Sequence, residues 1–151
     1  MALRLDWAVP CRFAEASDGT ATIIGGGIDS FWPSEVPTDI GLFVMMRMVG
    51  PPDEFEDEHQ LEIRLVTPER EEQQILQADF QAPPGAQNPL AVPGMEGNIL
   101  MPAGIAFRAE DYGFHTLEIY LDGQRLRSIA LNVRPPADLG SATAAEAPPE
   151  G

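Results

Sequence analysis

The sequence predicts an all-β protein: an antiparallel β-sandwich, immunoglobulin-like or related, of about eight strands. Apolar residues recur with a period of two rather than 3.6. Clusters of Gly, Pro and Asp punctuate these runs at short intervals. No long stretch carries a helical pattern, since "PEREEQQILQ" (68–77) has room for only a turn or two. Short strands joined by such turns make a sandwich, with a closed barrel as the alternative.

The elements follow in order. In "LRLDWAVPCRF" (3–13), Leu3, Leu5, Trp7, Val9, Cys11 and Phe13 alternate onto one face. Pro10 marks an edge strand or a bulge, because it cannot donate to a ladder. "SDGT" (17–20) is a turn, and "TATIIGGGIDSF" (20–31) a second strand loosened by three glycines. "IGLFVMMRMV" (40–49) is apolar on both faces, as a central covered strand requires. "HQLEIRLVT" (59–67) alternates through Leu61, Ile63 and Leu65. "QQILQADFQA" (73–82) is weaker and presents Leu76, Ala78 and Phe80. "GNILMPAGIAF" (97–107) is a strand interrupted by Pro102 and Gly104.

"GFHTLEIYLDGQRLRSIALNV" (113–133) is a hairpin. Asp122-Gly123 suits a two-residue type I′ turn, in which both residues have φ > 0. That turn sets Tyr120 opposite Arg125, Ile119 opposite Leu126, Glu118 opposite Arg127 and Leu117 opposite Ser128. Leu126 then has the wrong parity for Ile129, Leu131 and Val133. A bulge near Arg127–Ser128 returns both sets to the core.

The chain has 151 residues, with 44% hydrophobic and 22% charged. One domain is expected over 1–134, followed by a disordered Pro/Ala-rich tail over 135–151. Net charge is −15 and every basic residue is Arg, so the surface field repels nucleic acid and anionic membranes. No apolar run approaches the roughly 18 residues of a membrane span. The first residues lack the basic start and apolar region of a secretion signal, so the expected compartment is the cytoplasm. Cys11 is the only cysteine, which excludes an intramolecular disulfide.

Two stretches together resemble an uncharacterised bacterial family of short, stand-alone proteins. They are "LDWAVPCRFAEASDGTATIIGGGIDSF" near the start and "YGFHTLEIYLDGQRLRSIALNV" near the end. The resemblance spans most of residues 3–133. It implies a β-sandwich-like fold and brings no activity, cofactor or catalytic residue. His115 stands where that family tends to have Tyr.

Candidate sites are few. Asp53, Glu54, Glu56 and Asp57, beside His59, supply the oxygens that a hard cation such as Ca²⁺ needs. The spacing is not that of an EF-hand, and a solvated acidic loop accounts for it. Gly25–Gly27 lacks the spacing and helix of a phosphate loop, and reads as a bulge or a close strand approach. His115 falls on the inward face as a histidine bonded to backbone. Phe31 and Trp32 at a strand end are either a plug on the sandwich or exposed binding residues. Leu90 and Val92 lie in a long Pro/Gly-rich loop of a kind that often docks on something. The expectation is a non-enzymatic module without cofactor that contacts a protein partner or itself. A small-molecule or calcium-type site is the alternative, and an enzyme comes third.

Overall fold

The computed structural model describes residues 3–82 and 95–136. Ten strands run in chain order: β1 (Arg4–Cys11), β2 (Phe13–Ser17), β3 (Thr20–Ile24), β4 (Ser30–Phe31), β5 (Thr38–Gly50), β6 (His59–Val66), β7 (Glu72–Phe80), β8 (Gly97–Ala109), β9 (Gly113–Leu121) and β10 (Gln124–Val133). A 3₁₀ turn spans Pro52–Glu56. One sheet has the order β1-β5-β8, a second β4-β10-β9-β6-β7, and β2 and β3 form a separate hairpin. Every pairing is antiparallel except β4 with β10.

The two larger sheets face each other across one core. Ile40, Leu42, Val44, Met46 and Met48 of β5 meet Leu61, Ile63 and Leu65 of β6 and Leu117, Ile119 and Leu121 of β9. The period-two alternation of each strand sends these residues to one face. The architecture is therefore the all-β sandwich that the alternation predicts, with more strands than the eight expected. The described sheets are separate layers, not a closed barrel.

The opening run departs from expectation, and a bulge explains it. Pairing of β1 with β5 shifts register between Leu5 and Trp7. A one-residue slip moves every later side chain to the opposite face. Leu3 and Leu5 consequently face the main core, whereas Trp7 and Cys11 join Met45 on the outer face of the sheet. The chain bends at Arg12, and Phe13 is exposed rather than inward. The β2–β3 hairpin folds over this outer face and buries Ala14 against Cys11 and Met45. Phe13 meets Phe43 edge-on at 5.3 Å between ring centroids. β5 is thus covered on both sides, as its apolar pattern requires.

Residues 20–31 are not one strand. Gly25 and Gly27 have φ of +65° and +86°, which end β3 and turn the chain to β4 in a different sheet. A Cβ at Gly26 would lie 3.1 Å from the Ile23 Cγ2 and 3.3 Å from the Val9 Cγ1, a close approach of strands. Conversely, β8 runs unbroken through Pro102 and Gly104. It is an edge strand, where a missing N–H costs no ladder bond. On β7, Ala78 is exposed, while Ile75 and Leu76 both reach the core across a register shift near Ile63.

The closing hairpin has its type I′ turn, with φ of +49° at Asp122 and +82° at Gly123. Its bulge exists, one residue earlier than the expected Arg127–Ser128. Register shifts between Arg125 and Arg127, which sets Ile119 opposite Arg127, Glu118 opposite Ser128 and Leu117 opposite Ile129. Leu126 and Ile129 both pack on the core, as the parity argument demands.

Candidate functional site

The acidic stretch is less open than its composition suggests. Phe55 at the centre of the 3₁₀ turn is fully buried in the main core. Its carbonyl accepts from the Ala82 N–H at 2.7 Å. Asp53 and Asp57 are exposed, while Glu54 and Glu56 are half-buried. Among the described residues, no group of three or more His, Cys, Asp or Glu side chains is placed to hold a metal ion.

His59 is turned away from these carboxylates. Its ring is 7% exposed, stacked on Phe80 at 5.4 Å. Nδ1 lies 2.7 Å from the Asp122 carboxylate and Nε2 lies 2.6 Å from the Glu54 carbonyl. Asp122 also accepts from the Gln60 backbone N–H at 2.9 Å. Both ring nitrogens face acceptors, which only the doubly protonated imidazolium satisfies. Burial alone would lower the pKa of His59. The bonds to Asp122 and the Glu54 carbonyl outweigh it, and the pKa is raised. Burial likewise opposes ionisation of Asp122, but the Gln60 N–H and His59 hold its pKa below the usual carboxylate value. This pair clamps the tip of the β9–β10 hairpin to the start of β6. Sequence reading placed His59 among the acidic residues and missed the clamp. Its odd parity with Leu61, Ile63 and Leu65 is the signal that it faces inward.

His115 is 1% exposed and lies against Phe107. Nδ1 is 3.2 Å from the Gly113 carbonyl, the backbone bond expected of it. The ring also borders a cavity of about 210 Å³ at one end of the sandwich.

Phe31 and Trp32 divide the two roles foreseen for them. Phe31 packs on the main core as a plug, and Trp32 is 38% exposed. The segment is tied to β10 by Asn132 N–H to the Asp29 carbonyl at 2.7 Å and Arg134 N–H to the Phe31 carbonyl at 2.8 Å. The Arg134 guanidinium lies 5.4 Å from the centroid of the Trp32 ring. Arg134 Nε is buried with no hydrogen-bond partner among the described residues. Phe31, Trp32 and Pro33 line a groove of about 340 Å³ with Thr38, Asp39 and Ile40. Leu90 and Val92 lie outside the described residues, as does the tail from residue 137.

These features sit on an all-β antiparallel sandwich. Residues 6–134 match a family of unknown function (DUF6941), and the chain belongs to that family. The resemblance in the opening and closing stretches points to this same kind of family. No curated protein matches. Among solved structures, the chain is similar to an immunoglobulin-like protein from Pseudomonas aeruginosa at 14% identity, over 89% of this chain and 98% of that one, with a TM-score of 0.40.

Proposed function

We propose that the chain is a non-enzymatic protein-interaction module whose contact surface is centred on Trp32. The observation that carries this reading is an exposed indole at the rim of a groove, beside a partly buried Phe31 that packs on the core and near the Arg134 guanidinium. A partly exposed aromatic on a fixed support is the residue type that dominates binding energy at interfaces, because little side-chain entropy is lost on contact. A net charge of −15 opposes nucleic acid and anionic membranes as partners. The partner is a protein, either another chain or a second copy.

The test is capture of partners on the tagged wild-type protein and on Trp32→Ala, with the mass of each in solution measured by light scattering. Trp32→Ala is expected to change stability by no more than about 1 kcal/mol, since its ring is partly solvated. A partner or self-association lost in the variant supports the reading. A partner retained in full moves the surface elsewhere. A monomeric mass with no partner removes the reading.

A further inference from the structure

Strand register gathers three side chains at one corner of the five-stranded sheet. β4 pairs in parallel with β10, which sets Ser30 and Phe31 beside Asn132 and Val133. Trp32 and Arg134 each follow one residue later. They leave the sheet in step, with the guanidinium carbon 5.4 Å from the centroid of the indole. On the other side of β10, Asn132 pairs with Phe114 of β9. Leu131 and Val133 point to the core, so Asn132 and Phe114 point outward by alternation. Phe114 is then the diagonal cross-strand neighbour of Arg134, a spacing of about 7–8 Å that long side chains bridge. Phe114 is 65% exposed and Trp32 38%. Arg134, just past the end of β10, thus lies between the two strands that lead to exposed rings.

Arg134 differs from the paired arginines of the chain. Arg4, Arg47, Arg64, Arg108 and Arg125 each hold a carboxylate. Among the described residues none pairs with Arg134, and its Nε is buried with no hydrogen-bond partner. Acids are not scarce, at 24 against 9 arginines. Those near the corner are engaged elsewhere. Asp29 accepts from the Ser30 hydroxyl at 3.1 Å, and Asp39, which lines the groove with Trp32, accepts from Arg108 at 3.2 Å. A buried N–H without an acceptor is unfavourable. Arg134 is a flexible side chain, and a carboxylate that draws it outward gives Nε the acceptor it lacks. The planar guanidinium suits such paired, charge-assisted bonds.

We infer, on the reading of this corner as a contact surface, that it recognises an acidic segment of a different protein. A carboxylate seats on Arg134, and the apolar residues that flank it lie on Trp32 and Phe114. The two rings exclude water from the ion pair, which strengthens it. A second copy is the poorer occupant, since it brings a further net charge of −15 against the same field. A short segment feels that field only within the ~8 Å screening length of physiological salt.

The test is nitrogen-15 NMR of the full chain during titration with the capped peptide Ala-Leu-Glu-Leu-Ala. The readouts are the Arg134 Nε–H and the Trp32 indole N–H. The same peptide with Gln or Lys in place of Glu is the control. The Glu peptide should shift both resonances and leave the indole of Trp7, on the other sheet, unmoved. The Gln peptide should bind at least about tenfold more weakly, the loss expected for a hydrogen bond to a charged group. Arg134→Gln should abolish the preference for Glu over Gln. Phe114→Ser, at a ring that is mostly solvated, should weaken both peptides with the fold intact. Equal binding of the Glu and Gln peptides overturns the inference. So does tighter binding of the Lys peptide, which the net charge alone would favour, and so do resonances unmoved at millimolar peptide.

Partner capture with the same variants separates the acidic contact from the wider Trp32 surface. Alongside the Glu preference, a captured protein lost with both Trp32→Ala and Arg134→Gln supports the acidic contact. One lost with Trp32→Ala but kept with Arg134→Gln leaves the Trp32 surface standing and overturns the acidic contact. One kept with both variants removes the surface and the contact together. Self-association that Arg134→Gln abolishes would seat a second copy on the corner and overturn the assignment to a different protein.

Discussion

The two histidines of this chain occupy opposite ends of the same design problem. Both are buried, both sit on inward-facing strand positions, and both lie against a phenylalanine. His59 meets an acceptor at each ring nitrogen, and its surroundings are closed around a positive charge. His115 meets an acceptor at one nitrogen and a cavity beyond. The first is complete within the chain and locks two elements together. The second joins no two elements and has its ring at the border of a cavity. Burial alone therefore does not separate a histidine that ties two elements together from one that bonds only to the backbone two residues away.

The largest effect that sharpens this contrast comes from the anchor beneath the His59 clamp. Phe55→Ala empties a fully buried ring site in the main core. The expected loss of stability is about 3–5 kcal/mol by chemical denaturation, the usual range for a buried phenylalanine. Chemical shifts of His59 should move with it, because the Glu54 carbonyl that accepts from Nε2 belongs to the same 3₁₀ turn. Shifts at His115 should not. A Phe55→Ala protein of unchanged stability would mean that the turn is not held by the core.

Much of this arrangement was legible from sequence, and what was not has a common cause. Alternation named the inward residues of β6, β9 and β10, since side-chain direction is a local property of an extended chain. Parity even demanded the bulge in β10, because Leu126 and Ile129 cannot both reach the core without one. The bulge at Asp6 was invisible: Leu3 through Cys11 alternate perfectly, and only a second apolar layer, the β2–β3 hairpin, reveals that half the stripe faces outward. Three glycines in sequence suggest one loosened strand, yet positive φ at two of them ends it. The His59–Asp122 pair joins residues 63 positions apart, and no local pattern specifies which carboxylate a histidine will meet. Groove and cavity are likewise products of tertiary packing. The aromatic pair "FW" and the inward parity of His115 were the only traces of them in the chain.

A pH titration breaks the comparison in a second way. The pKa of His59 is raised in the folded protein, so the clamp contributes its full stability below the unfolded value of about 6.5 and loses it as pH rises through the folded value. The pKa of Asp122 is lowered, so its contribution is present above about pH 4 and lost as pH falls through the folded value. The pair therefore stabilises most between about pH 4 and 6.5. Asp122→Asn keeps an oxygen for the Gln60 N–H and tolerates the positive φ, but removes the charge facing His59. At pH 6 it should cost about 1–2 kcal/mol, discounted from a buried ion pair because Asp122 is 48% exposed. The difference between wild type and variant should shrink towards pH 9. A difference independent of pH would show that the bond does not depend on an imidazolium.

The smallest effect is expected where the same dipeptide does less. Asp18-Gly19 joins β2 to β3 through a turn with φ of +52° and +73°, close to the values at Asp122-Gly123. Both turns reward a residue that tolerates the left-handed region, and Asn does so about as well as Asp. Asp18 is exposed at the hairpin tip, while Asp122 reaches a buried ring on another strand. Asp18→Asn should therefore change stability by less than about 0.5 kcal/mol at any pH between 5 and 9, as surface substitutions do. Measured beside Asp122→Asn, it subtracts the conformational demand of the turn and leaves the clamp. Equal losses at the two sites would place the cost in the turn itself and leave the contact with His59 contributing nothing.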